Sequence, residues 1–200
     1  MKHYTTIFFD WGGVIATDPG DRFLSDLLRS IGATEQQIGE IFETYMKRFM
    51  RGELTEQAYW QELQSRYGLS IQDNISEEFK KWRGLVANKD VLNLAQSAKK
   101  AGYTIAVLSN VIEPTYNAIK ASGYYDMFDE VIASFQVGMA KPEEGIYRLA
   151  LERTGATAEQ SIFIDDQQRC LDPAIVMGFT TVLATSPEQI VRDVQSYLWP

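Results

Sequence analysis

The stretch TIFFDWGGVIATD, residues 6–18, decides how the rest of the chain is read. Thr6, Ile7, Phe8 and Phe9 run into Asp10, and Trp11, Gly12 and Gly13 follow before the apolar pattern resumes at Val14. A short apolar run without alternation is the mark of a strand buried on both faces. A carboxylate at its end, followed by two glycines, puts a candidate reactive group where such a strand gives way to a loop.

Three further runs have the same character: TIAVLSN at 104–110, SIFIDD at 161–166 and TTVLAT at 180–185, with EVIAS at 130–134 as a fifth. Helical patterns separate them. NKDVLNLAQSAKKAG, residues 88–102, opens on an Asn cap and closes on a Gly stop, EPTYNAIKASG also ends in Gly, and PEEGIYRLALERTG places Pro142 at a helix start. Strand alternating with helix predicts an α/β fold, a doubly wound parallel sheet. Residues 16–87 break that rhythm with helical patterns only: DRFLSDLLRSIG, TEQQIGEIFETYMKRFMRG, TEQAYWQELQSRYG and SEEFKKWRGLV. The expected organisation is therefore a small helical cap over 16–87, inserted into an α/β core made of 1–15 and 88–200.

Composition narrows the function classes. The 200 residues carry a formal charge of −8, against the clustered basic face of a nucleic-acid binder. Short basic stretches such as KKWR are flanked by acids, as on a solvated helix face. No long apolar run predicts a membrane span, and the N-terminus lacks the order of a signal peptide, so a cytoplasmic location is expected. The single cysteine, Cys170, excludes an intrachain disulfide, and the single histidine, His3, lies ahead of the first strand, excluding a histidine triad.

Open α/β sheets bind ligands outside the carboxyl ends of their strands. The polar residues at those ends are Asp10; Ser109 with Asn110; Lys141, ahead of a helix; and Asp165 with Asp166. Each alone has a plain structural reading as a turn or helix cap, or as a solvated lysine. Their order and type change the balance. FFDWGGV, VLSN, GMAKPEEGIY and FIDD resemble, in sequence, the four motifs of the haloacid dehalogenase (HAD) superfamily of hydrolases, and a helical insertion after the first motif is similar to that family's first cap type. The details are most similar to the bacterial α-D-glucose-1-phosphate phosphatase group and to the phosphatase-like domain attached to epoxide hydrolases.

The resemblance implies a Mg²⁺-dependent phosphatase acting on a small phosphorylated metabolite through an aspartyl-phosphate, with sugar 1-phosphates as fitting substrates. Asp10 would be the nucleophile. Mg²⁺ would be held by Asp10, the Gly12 carbonyl and Asp166, with Asp165 behind them. Ser109, Asn110, Lys141 and the Trp11 loop would bind the phosphate, Lys141 also damping the acidic charge. Two residues depart from the family pattern. Gly12 stands where phosphatases of this family commonly have an acid-base aspartate, and Cys170 stands where Asp or Asn is frequent, with Asp172 as a substitute two residues on.

The missing acid leaves two other readings open: a metal-independent 2-haloacid dehalogenase, whose halide needs no proton as it departs, and a binding or regulatory module without turnover. The paired acids of FIDD favour the phosphatase, because a carbon-halogen displacement has no phosphate charge to neutralise. In the cap, Arg48 and Arg51 are candidates to reach substrate or to lie solvated, and Tyr59 with Trp60 reads as cap packing.

Overall fold

The computed structural model describes residues 3–17, 20–72, 75 and 86–199, with no side-chain detail for 20–23. The helix expected over 76–86 lies almost wholly outside the described residues. Five strands, β1 (Thr6–Phe9), β2 (Thr104–Ser109), β3 (Glu130–Ala133), β4 (Ser161–Asp165) and β5 (Thr180–Leu183), form one parallel sheet in the order β3-β2-β1-β4-β5. Described helices are α1 (Gly20–Ser30), α2 (Glu35–Glu40), α3 (Lys47–Met50), α4 (Glu56–Tyr67), α5 (Lys89–Lys100), α6 (Glu113–Ala121), α7 (Ser134–Val137), α8 (Glu144–Thr154), α9 (Gln168–Met177) and α10 (Pro187–Leu198).

Side chains alternate between the faces of a strand, and here both faces are apolar. Ile7 and Phe9 of β1, Ile105 and Val107 of β2, and Ile162 and Ile164 of β4 share one cluster with Val91, Leu94 and Ala98 of α5 and Ile190 and Val194 of α10. Phe8, Ala106, Leu108, Ile132 and Phe163 point the other way, onto Ile146, Tyr147 and Ala150 of α8 and Leu171 and Ala174 of α9. Every strand run read from the sequence is recovered to within a residue or two, because strands buried on both faces are written as uninterrupted apolar stretches.

The segment between β1 and β2 is helical throughout its described elements and has its own cluster, including Leu24, Leu28, Ile41, Phe49, Tyr59, Trp60 and Leu63. Thr34 and Gln37 form a reciprocal capping box at the start of α2, Thr55 accepts from the Ala58 amide at the start of α4, and Gly68 ends α4 with φ +65°. Between α2 and α3 the helix widens to a π-helical stretch at Ile41–Met46, so the run expected as one long helix continues with a change of pitch. Chain exit and return lie side by side, Ala16 bridging Ala87 and the Asn88 amide donating to Ile15 O at 2.7 Å.

From β1 the chain builds outward to β2 and β3, then crosses back to β4 and β5 on the far side of β1. The reversal falls between β1 and β4, the position at which open sheets leave a crevice for a ligand. Asp10 follows β1 there, and Asp165 ends β4.

Candidate active site

The backbone around Asp10 fixes its carboxylate before any ligand is considered. The Asp10 amide donates to Ile164 O at 2.9 Å, extending the β1–β4 ladder one residue past the strand. Trp11 O then accepts from Ile15 N at 3.0 Å and Ala16 N at 2.8 Å, closing the loop that holds both glycines. The Trp11 amide turns back and donates to Asp10 Oδ1 at 2.7 Å. Gly13 carries the left-handed conformation this turn needs, φ +72°, which a side chain would strain.

Charge is concentrated at the same spot. Lys141 Nζ lies 2.5 Å from Asp165 Oδ2 and 3.1 Å from Asp10 Oδ1, and 5.3 Å from the centre of the Phe163 ring. The ammonium is almost wholly buried, and Asp165 is fully so, its Oδ1 accepting from the Gln167 amide at 2.8 Å. Burial pulls the Lys141 pKa down, but Asp10 and Asp165 outweigh it and the net direction is upward, so the lysine stays charged. For Asp10, burial is the largest effect and Asp165 adds to it, outweighing Lys141 and the hydrogen-bonded Ser109 hydroxyl, and the carboxyl is pushed up to about 7.

Asp10, Asp165 and Asp166 each bring an oxygen within 4.8 Å of the others, a grouping able to hold a metal ion. Among the described residues Lys141 pairs with Asp10 and Asp165, and the all-oxygen set that Asp166 completes suits a hard divalent cation.

The other residues singled out in the sequence have separate fates. Ser109 ends β2 and is buried, its hydroxyl acting on Asp10 to lower that carboxyl's pKa. Asn110 is committed elsewhere: its Oδ1 accepts from the Lys141 amide and its Nδ2 donates to Lys141 O, both at 2.8 Å. The Trp11 ring is only 4 % exposed and packs on Tyr124 and Tyr125 at 5.7 and 5.2 Å, so the ring is spent on core packing. Gly12 pairs with Ala16 across the loop.

Arg48 and Arg51 are neither solvated and free nor offered to the site. Arg48 pairs with Glu62 at 2.7 Å, and Arg51 with Glu143 at 2.6 Å. Asp172 is exposed and accepts from Gln168 at 2.7 Å, outside the carboxylate grouping, because it lies on the solvent face of α9. Cys170 is buried beside the site, its thiol pushed up to about 12 by burial and then by Asp165. Tyr59 and Trp60 pack against each other, and Tyr59 stacks on Phe49 at 4.9 Å.

Three residues of the site escaped the sequence reading. A β-carbon on Gly13 would lie 2.4 Å from Asp166, Ser134 is fully buried one residue past β3, and Glu143 holds the Lys141 loop. Ser134 had a signal, since it is the polar residue at the end of the fifth strand run; Glu143 had none beyond its place beside Lys141.

Comparison with known proteins agrees with the fold. The chain belongs to the haloacid dehalogenase-like hydrolase family, whose model matches residues 4–174. It is 32 % identical over 136 residues to bifunctional epoxide hydrolase 2 of Rattus norvegicus, covering 64 % of this chain and only 24 % of that protein. A sesquiterpene phosphatase of Aspergillus oryzae is 25 % identical over 189 residues, 91 % of this chain and 89 % of the relative. Among solved structures, a HAD family enzyme of Bacteroides thetaiotaomicron in complex with magnesium and inorganic phosphate superposes with a TM-score of 0.77 at 21 % identity, over 92 % of this chain and 96 % of that one.

Proposed function

We propose that this hydrolase is a Mg²⁺-dependent phosphatase of small phosphomonoesters, with sugar 1-phosphates as the favoured class and Asp10 as nucleophile. The observation that carries the reading is the Lys141 ammonium held between Asp10 and Asp165 beside a third carboxylate, Asp166. A carboxylate grouping of this kind around a buried ammonium suits a divalent metal and an anionic substrate together. A phosphatase relative of nearly equal length supports the same choice.

Asp10, Asp166 and the Gly12 carbonyl would hold the metal, with Asp165 kept behind them by Lys141 and Gln167. When bound, Mg²⁺ would lower the repulsion between the carboxylate and the phosphate it approaches. The chain's own part is positional. The Trp11 amide and Lys141 converge on Asp10 Oδ1 and fix the carboxylate's orientation, which is the larger share of what an enzyme supplies to phosphoryl transfer. Lys141 and Ser109 bind phosphoryl oxygens, and attack by Asp10 on phosphorus forms an aspartyl-phosphate that water then opens.

No side chain at Gly12 donates a proton to the departing oxygen. General acid catalysis is worth about 10²–10⁴-fold, so substrates whose leaving oxygen needs little protonation are favoured. Sugar 1-phosphates and acyl phosphates answer that description. Residues 16–87 serve as the cap over a core of 1–15 and 88–200, with a small phosphorylated metabolite between them.

The test is phosphate release from a panel of phosphomonoesters, with and without Mg²⁺, by the wild type and Asp10→Asn. Metal-dependent turnover that the substitution abolishes is expected. Release of halide from 2-haloacids without metal would replace the phosphatase by a dehalogenase, and Mg²⁺ binding without turnover on either panel would leave a binding module.

A further inference from the structure

The turn after α3 is stitched to the loops that carry the catalytic candidates. Ser134 Oγ donates to Met50 O at 2.6 Å and accepts from the Val111 amide at 2.9 Å, joining the helical insert to the segment just after Ser109 and Asn110. Gly52 lies flat on the core: its φ is +71°, and a β-carbon would stand 2.2 Å from Phe135 O. Ile112, just beyond the β2 loop, completes the apolar cluster of the insert. Between these contacts Arg51 gives both Nε and Nη2 to Glu143 Oε1, at 2.9 and 2.6 Å.

Glu143 is part of the loop that presents Lys141. Its Oε1 also accepts from the Ala140 amide at 3.2 Å, and its own amide donates to Ala140 O at 2.8 Å, so the loop Ala140–Glu143 is closed on itself around Lys141. On the opposite side the Asn110 amide grips the Lys141 main chain through its N–H and its carbonyl. Lys141 is therefore clamped from two directions, by Asn110 from the β2 loop and by Glu143, which the insert itself holds through Arg51.

The Arg51 and Glu143 side chains are 35 % and 40 % exposed, and an ion pair this accessible adds little stability. Its effect is geometric. The same carboxylate oxygen receives Arg51 from the insert and Ala140 from the core, so any withdrawal of the insert releases one of two restraints on the loop. We infer that Arg51 is a positioning residue for Lys141: seating of the helical insert sets Glu143, and the Ala140–Glu143 loop then sets the ammonium between Asp10 and Asp165. The consequence for turnover rests on the phosphatase reading, whereas the consequence for the loop does not.

The experiment uses the full chain as wild type, Arg51→Met, Arg51→Lys and Glu143→Gln. Amide hydrogen exchange is followed residue by residue without substrate, which separates local from global opening. Arg51→Met and Glu143→Gln are expected to speed exchange at Ala140 and Lys141 by about tenfold or more, with β1 and β4 amides unchanged and Arg51→Lys restoring part of the protection. Turnover should fall through kcat by about 10- to 100-fold while KM stays within about twofold, the pattern of a misplaced catalytic group. Faster exchange confined to the insert, with Ala140 and Lys141 as in the wild type, overturns the inference. Should the wild type release no phosphate, the phosphatase reading fails, and the exchange data still decide the role of Arg51. If Arg51→Met does not fold, Glu143→Gln decides it by the same two amides.

Discussion

Gly13 stands against the carboxylate of Asp166 with no room between them: a β-carbon at 13 would lie 2.4 Å from both Cγ and Oδ2 of Asp166. The first loop and the β4 loop thus fit together only because residue 13 has no side chain, and its φ of +72° imposes the same choice independently. Gly13→Ala must push Asp166 away or shift the Asp10 loop, and either change spoils the carboxylate grouping. The expected result is a loss of Mg²⁺ affinity of about tenfold or more by calorimetric titration, with a stability loss of only about 1–2 kcal/mol from the left-handed alanine. Unchanged affinity in a folded variant would separate Asp166 from metal binding.

Lys141 is the cation on which two buried carboxylates depend. Removing one partner of a buried ion pair leaves an uncompensated charge, at a cost of about 3–5 kcal/mol. Lys141→Met should therefore lower the metal-free stability by about that amount in urea unfolding near neutral pH. A loss below about 1 kcal/mol would mean that Asp10 and Asp165 are not held apart by this ammonium in solution.

Asp129 offers a test of pH dependence away from the site. Its Oδ2 accepts from the Ile105 amide at 2.9 Å, and Oδ1 meets Lys99 Nζ at 2.8 Å. Burial pushes this carboxyl up, but the Lys99 and Ile105 hydrogen bonds together outweigh it, and the net direction is down. A carboxyl with a depressed pKa is protonated first in the unfolded chain, so its contribution is present above the ordinary aspartate range and lost as pH falls through the folded value. Asp129→Asn should cost about 1 kcal/mol at pH 7, and the gap to wild type should close as pH falls below the ordinary aspartate range. A gap that does not change with pH would assign the loss to something other than the charge.

Legibility of the sequence followed the physics of each element. Strands buried on both faces announce themselves as apolar runs, and their carboxyl ends bring Asp10, Ser109 and Asp165 together from the sequence, whereas Lys141 lies beyond β3 and α7 on a loop that no strand end marks. The destination of a side chain was not legible. Trp11 and Asn110 sit at the right ends of the right strands, yet one ring goes into the core and one amide is used on the Lys141 main chain. Pairings across long separations, such as Arg51 with Glu143, depend on how the insert docks, and no periodicity encodes that. Gly13 shows the same limit at short range, since two adjacent glycines look alike in sequence while only the second takes the left-handed turn.

That difference between the two glycines makes Gly12 the informative place to add an acid. Its backbone is outside the left-handed region, so an aspartate there meets no conformational penalty of the kind expected at Gly13. If the absent proton donor limits turnover, Gly12→Asp should help most where the leaving oxygen is a poor one. Alkyl phosphates should gain about tenfold or more in kcat/KM, within the 10²–10⁴ range of general acid catalysis, while an aryl phosphate with an acidic phenol gains less than about twofold. The added acid must be protonated to act, so the gain should fade as pH rises above the carboxyl's own pKa, giving a steeper alkaline limb than in the wild type. Equal changes for alkyl and aryl substrates would show that proton donation is not what Gly12 withholds.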